Sequence, residues 1–284
     1  MFEIKNNELS VQVIDPIEDK NLLGPRYCTG GYIFQVQNNT LGNLLSGPQF
    51  DLGNFNVFDG QGAPEVFETA LNQDGVNINE DVLVIGVGLV SRTSSNSPFH
   101  VRDNPNVKEF TLWQIEHSPA SISMRTEQSF MGWALELTRT LSIRKKILKS
   151  QTKIRNTGTR VLPIRWFAHP FFPFPQDLRA CKFSVPVTLE PNLGYSLNEK
   201  GYIELKQQYD WKKGLYQKIA YKQTGKLKVE QTHPVLGKMQ IKCDFMPDSL
   251  AIWANNNTFS FEPFKIASVQ QGQELSWSIS YSFF

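Results

Sequence analysis

The chain has 284 residues, 40% of them hydrophobic, and its 29 Lys and Arg against 27 Asp and Glu leave a formal charge of +2. That length holds one large domain or two small ones with a substantial core, and so even a charge balance offers nucleic acid or an anionic membrane no electrostatic handle. Cys28, Cys181 and Cys243 are odd in number, widely spaced and without a CxxC pair. They are expected to be reduced and structural, not a disulfide framework or a zinc site.

The N-terminal stretch MFEIKNNELSVQVID lacks the basic start and apolar run of a signal peptide, and no stretch approaches the ~18 apolar residues of a membrane span, so a cytosolic protein is expected. VFETALN, residues 66–72, reads as a short helix. In VLVIGVGLVSRTSSNSPF, residues 82–99, a strand-like run leads into Gly86-x-Gly88, but Ser91 stands where a dinucleotide fingerprint needs its third glycine. The residues that follow are loop chemistry and cannot open a helix to hold a pyrophosphate. The segment is expected to be a buried strand with glycines at close backbone contacts, and no nucleotide cofactor is expected.

The basic run RTLSIRKKILKSQTKIR, residues 139–155, follows Leu137 and contains Leu141 and Ile143 in alternation with polar neighbours, the pattern of solvated strand faces. No aromatics interleave it, which argues against single-stranded nucleic acid. Further along, GYIELKQ (201–207), LAIWA (250–254) and ELSWSISYSF (274–283) alternate at period two, with Leu275, Trp277, Ile279, Tyr281 and Phe283 on one face. The turn-forming stretches NNTLGN, DGQGAP, SSNSP, RNTGTR, QTGK and NNNT separate these runs. The expected fold is all-β, a large antiparallel sandwich with few short helices, built as a single domain over residues 1–284.

His100, His117, His169 and His233 are the only histidines, and no HExxH, CxxC or GxSxG pattern organises a metal site or a nucleophile elbow. No metal is expected. His169 sits in RWFAHPFFPFP, residues 165–175, where a buried imidazole is costly without a partner. It precedes Pro170; a residue before proline is pushed extended and proline cannot donate to a ladder, so His-Pro marks a strand end at a sheet rim, where pockets open. Glu262, before Pro263 in FSFEPF (259–264), invites the same description. His233-Pro234 in QTHPVLG and Glu190-Pro191 in VTLEPNL serve as internal controls in ordinary loop sequence. The aromatic flanks, not the dipeptides, carry the signal. The residues alone leave His169 open between a proton-transfer group and a hydrogen-bonded core histidine.

Together, GPRYCTGG (24–31), RNTGTRVLPIRWFAHPFF (155–172) and FSFEPF resemble the galactose mutarotase (aldose 1-epimerase) superfamily, in particular a smaller branch with an Arg-aromatic segment near the start, a GVG-containing strand and a final Trp-x-x-x-Tyr-x-Phe strand, here WSISYSF. The resemblance implies a mutarotase-like supersandwich and sugar chemistry without cofactor or metal. Glu262 would be the base on the anomeric hydroxyl and His169 the acid on the ring oxygen, facing each other across a pocket about one pyranose ring wide. An ordinary Glu, near ~4.3, is ionised at neutral pH, and a His near ~6.5 stays protonated beside a carboxylate.

The resemblance also implies that Arg26 and His100 bind substrate, and that Trp166 and Trp253 stack on sugar C–H faces. Glu65 of GQGAPEVFE is open between the pocket and a solvated loop, and Asp244 and Asp248 are both open as the sugar-binding aspartate. The expected partner is a small sugar or a sugar phosphate, the latter requiring Arg26, Arg102 and Arg165 to converge; a non-catalytic carbohydrate-binding protein on the same fold is the alternative. The sequence does not fix the oligomeric state.

Overall fold

A computed structural model describes residues 1–49, 55–222 and 225–284. Part of the QTGK turn, Gln223 and Thr224, lies outside the described residues. Among the described residues there is no α-helix, only the short 3-10 turns Lys20–Leu22 and Trp211–Lys213, and every strand pairing is antiparallel. No helix among them is long and apolar enough to cross a membrane.

The largest sheet has ten strands, in the spatial order Gln114–Ser118, Ser121–Phe130, Trp133–Arg144, Ile147–Asn156, Glu274–Ser282, Gly237–Cys243, Lys228–His233, Arg179–Phe183, Tyr202–Leu205 and Tyr195–Leu197. A seven-stranded sheet runs Val187–Leu189, Leu215–Tyr221, Ser249–Ala254, Thr258–Val269, Leu162–Ala168 and Glu65–Phe67, with Phe172–Pro173 pairing Thr258–Val269 off that path. Their inner faces share one core: Trp166 meets Trp277 at 5.2 Å between ring centroids, and Phe261 meets Phe183 at 6.4 Å. Each such aromatic, fully buried, contributes about 1.5–3 kcal/mol, which is why the period-two runs settle with these residues inward. The three alternating runs quoted above all form strands, and Trp277, Ile279, Tyr281 and Phe283 are buried together.

VFETALN forms no helix. Glu65–Phe67 pairs with Trp166, Phe167 and Ala168, and Ala70–Leu71 pairs with Asp81–Val84. All five of these strand residues are buried, and pairing within two sheets, to partners elsewhere in the chain, overrides the local pattern. The glycine-rich run is a hairpin joining Asp81–Val84 to Gly88–Ser91. At Gly88, with φ of 137°, a Cβ would stand 2.0 Å from the Glu109 carbonyl oxygen, so the glycine answers to a backbone approach and not to a phosphate. The basic run forms the hairpin Trp133–Arg144 and Ile147–Asn156 as expected, except that Arg139 is only 1% exposed and points between the two large sheets.

The outer face of the seven-stranded sheet is also covered in part. Leu23, Tyr27 and Tyr32, from the N-terminal segment, pack on Val66, Phe167, Ala251 and Phe264. Strand alternation therefore sends Trp166, Phe259 and Phe261 inward, and Phe167, Glu262 and Phe264 outward beneath this cover.

Candidate active site

Two prolines interrupt one ladder. Leu162–Ala168 pairs with Thr258–Val269 as far as Phe167 opposite Phe264, and pairing resumes in the same register with Phe172 opposite Phe259. Between these points, neither Ala168–Phe171 nor Ser260–Pro263 pairs with the other stretch, and each contains a proline that cannot donate. Carrying the shared register across the gap sets residue 169 opposite residue 262. His169 thus directly follows a strand end, as expected, whereas Glu262 lies within its strand and beside the gap, not at a strand terminus.

The displaced segment is held by other backbone: His169 N–H donates to the Pro64 carbonyl at 2.9 Å and Phe171 N–H to the Gly62 carbonyl at 2.7 Å. In the gap the His169 Nε2 lies 3.4 Å from Glu262 Oε1, and each residue is only 4% exposed. The buried Ser260 places its hydroxyl 3.0 Å from His169 Nδ1. Phe171 stacks on the imidazole at 4.3 Å, and Trp253 meets it edge-on at 6.0 Å. The two functional groups are in direct contact instead of a pyranose ring apart.

They line a cavity of about 370 Å³. Phe167, Phe171, Trp253 and Phe264 form its aromatic wall. Arg26, Phe58 and Asp59 approach from the N-terminal side, and His100, Val101 and Arg102 from the loop before Val107–Phe110. Arg26 donates to the Phe58 carbonyl at 3.0 Å, and its guanidinium lies 4.8 Å from the Phe58 ring centre; Arg102 lies 5.4 Å from the same ring. The exposed His100 accepts the Arg102 N–H on Nδ1 at 3.0 Å. Arg165 is ion-paired with Glu68 above Phe264.

Burial holds the His169 imidazole well below its usual 6.5, and the Arg26 charge acts in the same direction. Burial pushes the Glu262 carboxyl up to about 7; Arg26 opposes that shift and the Glu68 charge adds to it. The expected starting state, ionised Glu and protonated His, is therefore reversed. The aromatic wall strips both groups of water, and the Arg26 charge favours the carboxylate over the imidazolium. As pH falls through about 7 the pair takes up one proton, and that proton belongs to the pair.

Two expected pocket residues lie elsewhere. Trp166 is fully buried on the inner face, where its Nε1–H donates to Glu65 Oε2 at 2.9 Å. Glu65, 4% exposed, is neither in the pocket nor in a solvated loop: it pairs with Arg139 at 2.6 Å and accepts from Ser150 at 2.7 Å and Thr152 at 3.1 Å. Asp244 accepts from the Ser278 N–H and hydroxyl, and Asp248 from the Ile266 N–H, so both brace backbone and neither lines the cavity. His233 ends a strand, buried, with Nε2 2.9 Å from the Leu44 carbonyl and Nδ1 accepting from Val235 and Leu236 N–H groups, a structural histidine.

Ser260, Phe58, Asp59, Glu68 and Tyr216 escaped the sequence reading. Ser260 and Glu68 were within reach of it, since each lies two residues from another outward-facing position, Glu262 and Val66. The others reach the cavity through loops or non-neighbouring strands. Among the described residues no three His, Cys, Asp or Glu side chains gather as a metal ion would need.

By sequence, no protein-family model matches the chain and no curated protein is similar to it. By structure it is similar to a galactose mutarotase related enzyme from Lactobacillus acidophilus, at a TM-score of 0.63 and 13% identity over 100% of this chain and 97% of that one. It is also similar to a galactose mutarotase-like protein from Lactobacillus casei, at 0.57 and 13% over 99% of each chain. An aldose epimerase homologue from C. elegans aligns at 0.54 and 11% over 100% of this chain and 98% of that one. The chain has the galactose mutarotase-like fold.

Proposed function

We propose that this chain, built on the galactose mutarotase-like fold, is an aldose 1-epimerase that interconverts the α and β anomers of a sugar. The observation that carries this is the contact of His169 with Glu262 at 3.4 Å on an aromatic cavity wall, with one proton between them near neutral pH. Ring opening removes the proton on the anomeric O1 and adds one to the ring O5, breaking the C1–O5 bond and leaving a C1 carbonyl. Both oxygens are attached to the same carbon, so a donor and an acceptor in contact with each other suit the task better than groups a ring apart. Glu262, which holds the shared proton, delivers it to O5 while the neutral His169 takes the O1 proton. Rotation about C1–C2 and closure with the roles exchanged give the other anomer. Trp253 and Phe171 pack against sugar C–H faces and keep water from the pair; Arg26 donates to hydroxyls.

Anomer equilibration followed by exchange NMR over a panel of aldoses tests the proposal. Acceleration by the wild-type chain, lost in Glu262→Gln and His169→Ala, is the expected result. Sugar binding with no acceleration would instead identify a carbohydrate-binding protein on this fold.

A second substrate form is favoured by one observation. Arg165 is tied to Glu68, but Arg26 and Arg102 share the Phe58 ring, and among the described ion pairs neither has a carboxylate partner. Two guanidinium groups beside one cavity suit an anionic substituent such as a sugar phosphate. With Arg102→Ala, kcat/KM should fall for a hexose 6-phosphate and stay unchanged for the free hexose; equal effects on both would remove this form.

A further inference from the structure

We propose that the buried Glu65–Arg139 pair is a positioning device for the candidate active site, fixing the register of Glu65–Phe67 so that its backbone holds both His169 and the Arg26 segment in place. The proposal rests on the reading of His169 and Glu262 as the reacting pair.

The pair is poorly explained by stability alone. Taking two charges out of water costs several kcal/mol per ion, and apolar replacements of buried ion pairs are often neutral or stabilising. Here Arg139 is 1% and Glu65 4% exposed, and Arg139 Nε has no hydrogen-bond partner, so the site is not fully satisfied. Its location is more telling. Glu65–Phe67 ends the seven-stranded sheet and is held by only three register pairs, to Trp166, Phe167 and Ala168. A short edge strand is weakly specified, and a slip of one residue would exchange its two faces, turning the Glu65 carboxylate outward and Val66 inward. Arg139, Ser150 and Thr152 on the ten-stranded sheet, with Trp166 beside it, accept only the register with Glu65 inward.

Two contacts link that register to the site. The Pro64 carbonyl accepts the His169 N–H, and the Glu65 carbonyl accepts the Cys28 N–H at 2.8 Å, two residues beyond Arg26. The same segment closes over the Arg139 stem at Gly31, whose φ is 68° and where a Cβ would stand 3.0 Å from Arg139 Cβ. One ion pair thus sits beneath both sides of the cavity.

The double variant Glu65→Leu/Arg139→Met tests this, compared with Arg139→Lys, which keeps the charge and loses the guanidinium fork. Thermal unfolding, the 15N signals of the His169 ring and anomerisation kinetics are measured on the full chain. The double variant is expected to unfold at or above the wild-type temperature, with His169 ring signals shifted or broadened. Its kcat should fall about tenfold to a hundredfold, by more than KM changes; Arg139→Lys should lie between it and wild type. A folded double variant with wild-type kcat and unchanged ring signals overturns the proposal. If the double variant does not fold, Arg139→Lys decides alone: lowered kcat with shifted ring signals supports positioning, and wild-type values for both overturn it. A wild-type chain that anomerises no sugar counts against the proposed function, and the ring signals then decide the positioning role.

Discussion

Two buried ionisable pairs lie on opposite faces of the same sheet, and they differ in how their carboxylates are satisfied. On the inner face Glu65 receives Arg139, Ser150, Thr152 and Trp166. On the outer face Glu262 has the approach of His169 at 3.4 Å and the more distant field of Arg26. Donors on every side hold a charge still and tie two sheets together. A carboxylate buried with few donors keeps its proton near neutral pH and can pass it on, which is the condition acid–base work requires. Burial alone therefore does not mark a functional carboxylate; burial without a full set of donors, at a cavity, does.

The largest way to break the contrast is to remove the mobile proton. Glu262→Gln and His169→Ala should each lower anomerisation by about 10²–10⁴-fold, read by exchange NMR at saturating sugar. Next in size, Glu65→Ala strands the Arg139 charge in the core and should destabilise the chain by about 3–5 kcal/mol in denaturant titrations, whereas Glu262→Gln should not destabilise it. An equal loss from both would erase the distinction.

The pH dependence sharpens it. The folded-state value of Glu262 lies above its ordinary 4.5, so the folded chain holds a proton that the unfolded chain releases. The stability this brings is present below about 4.5 and is lost as pH rises to about 7, amounting to about 3 kcal/mol across that window. Glu262→Gln should remove that part of the slope, so that the variant gains on wild type between pH 5 and pH 8; parallel curves would contradict the buried carboxyl. The smallest effect is expected from Ser260→Ala, which takes the hydroxyl from His169 Nδ1. It should cost about 1 kcal/mol in stability and shift the ring tautomer seen by 15N NMR.

Much of this was legible in the sequence, and the failures have physical causes. Alternation at Trp277, Ile279 and Tyr281 was sufficient to place that strand, because each residue's environment repeats every second position. The same parity would have separated Trp166 from His169: in RWFAHPFF the two differ by three residues and so face opposite sides of the sheet. Glu65 could not be placed, since its inward face is set by pairing with Trp166, Phe167 and Ala168 about a hundred residues away, and no local signal encodes that partner. The pairing of His169 with Glu262 has the same non-local origin. His-Pro and Glu-Pro announced two interruptions, but only the shared register revealed that they interrupt one ladder.

The most direct measurement is the anomerisation rate of a sugar the chain turns over, followed by exchange NMR from pH 5 to pH 9 in wild type and in Glu262→Gln. The account predicts a wild-type kcat/KM that falls as pH rises through about 7, when the shared proton leaves, and a variant rate close to that of buffer across the range. A wild-type rate that stays level through pH 7, or a Glu262→Gln variant as fast as wild type, would contradict it.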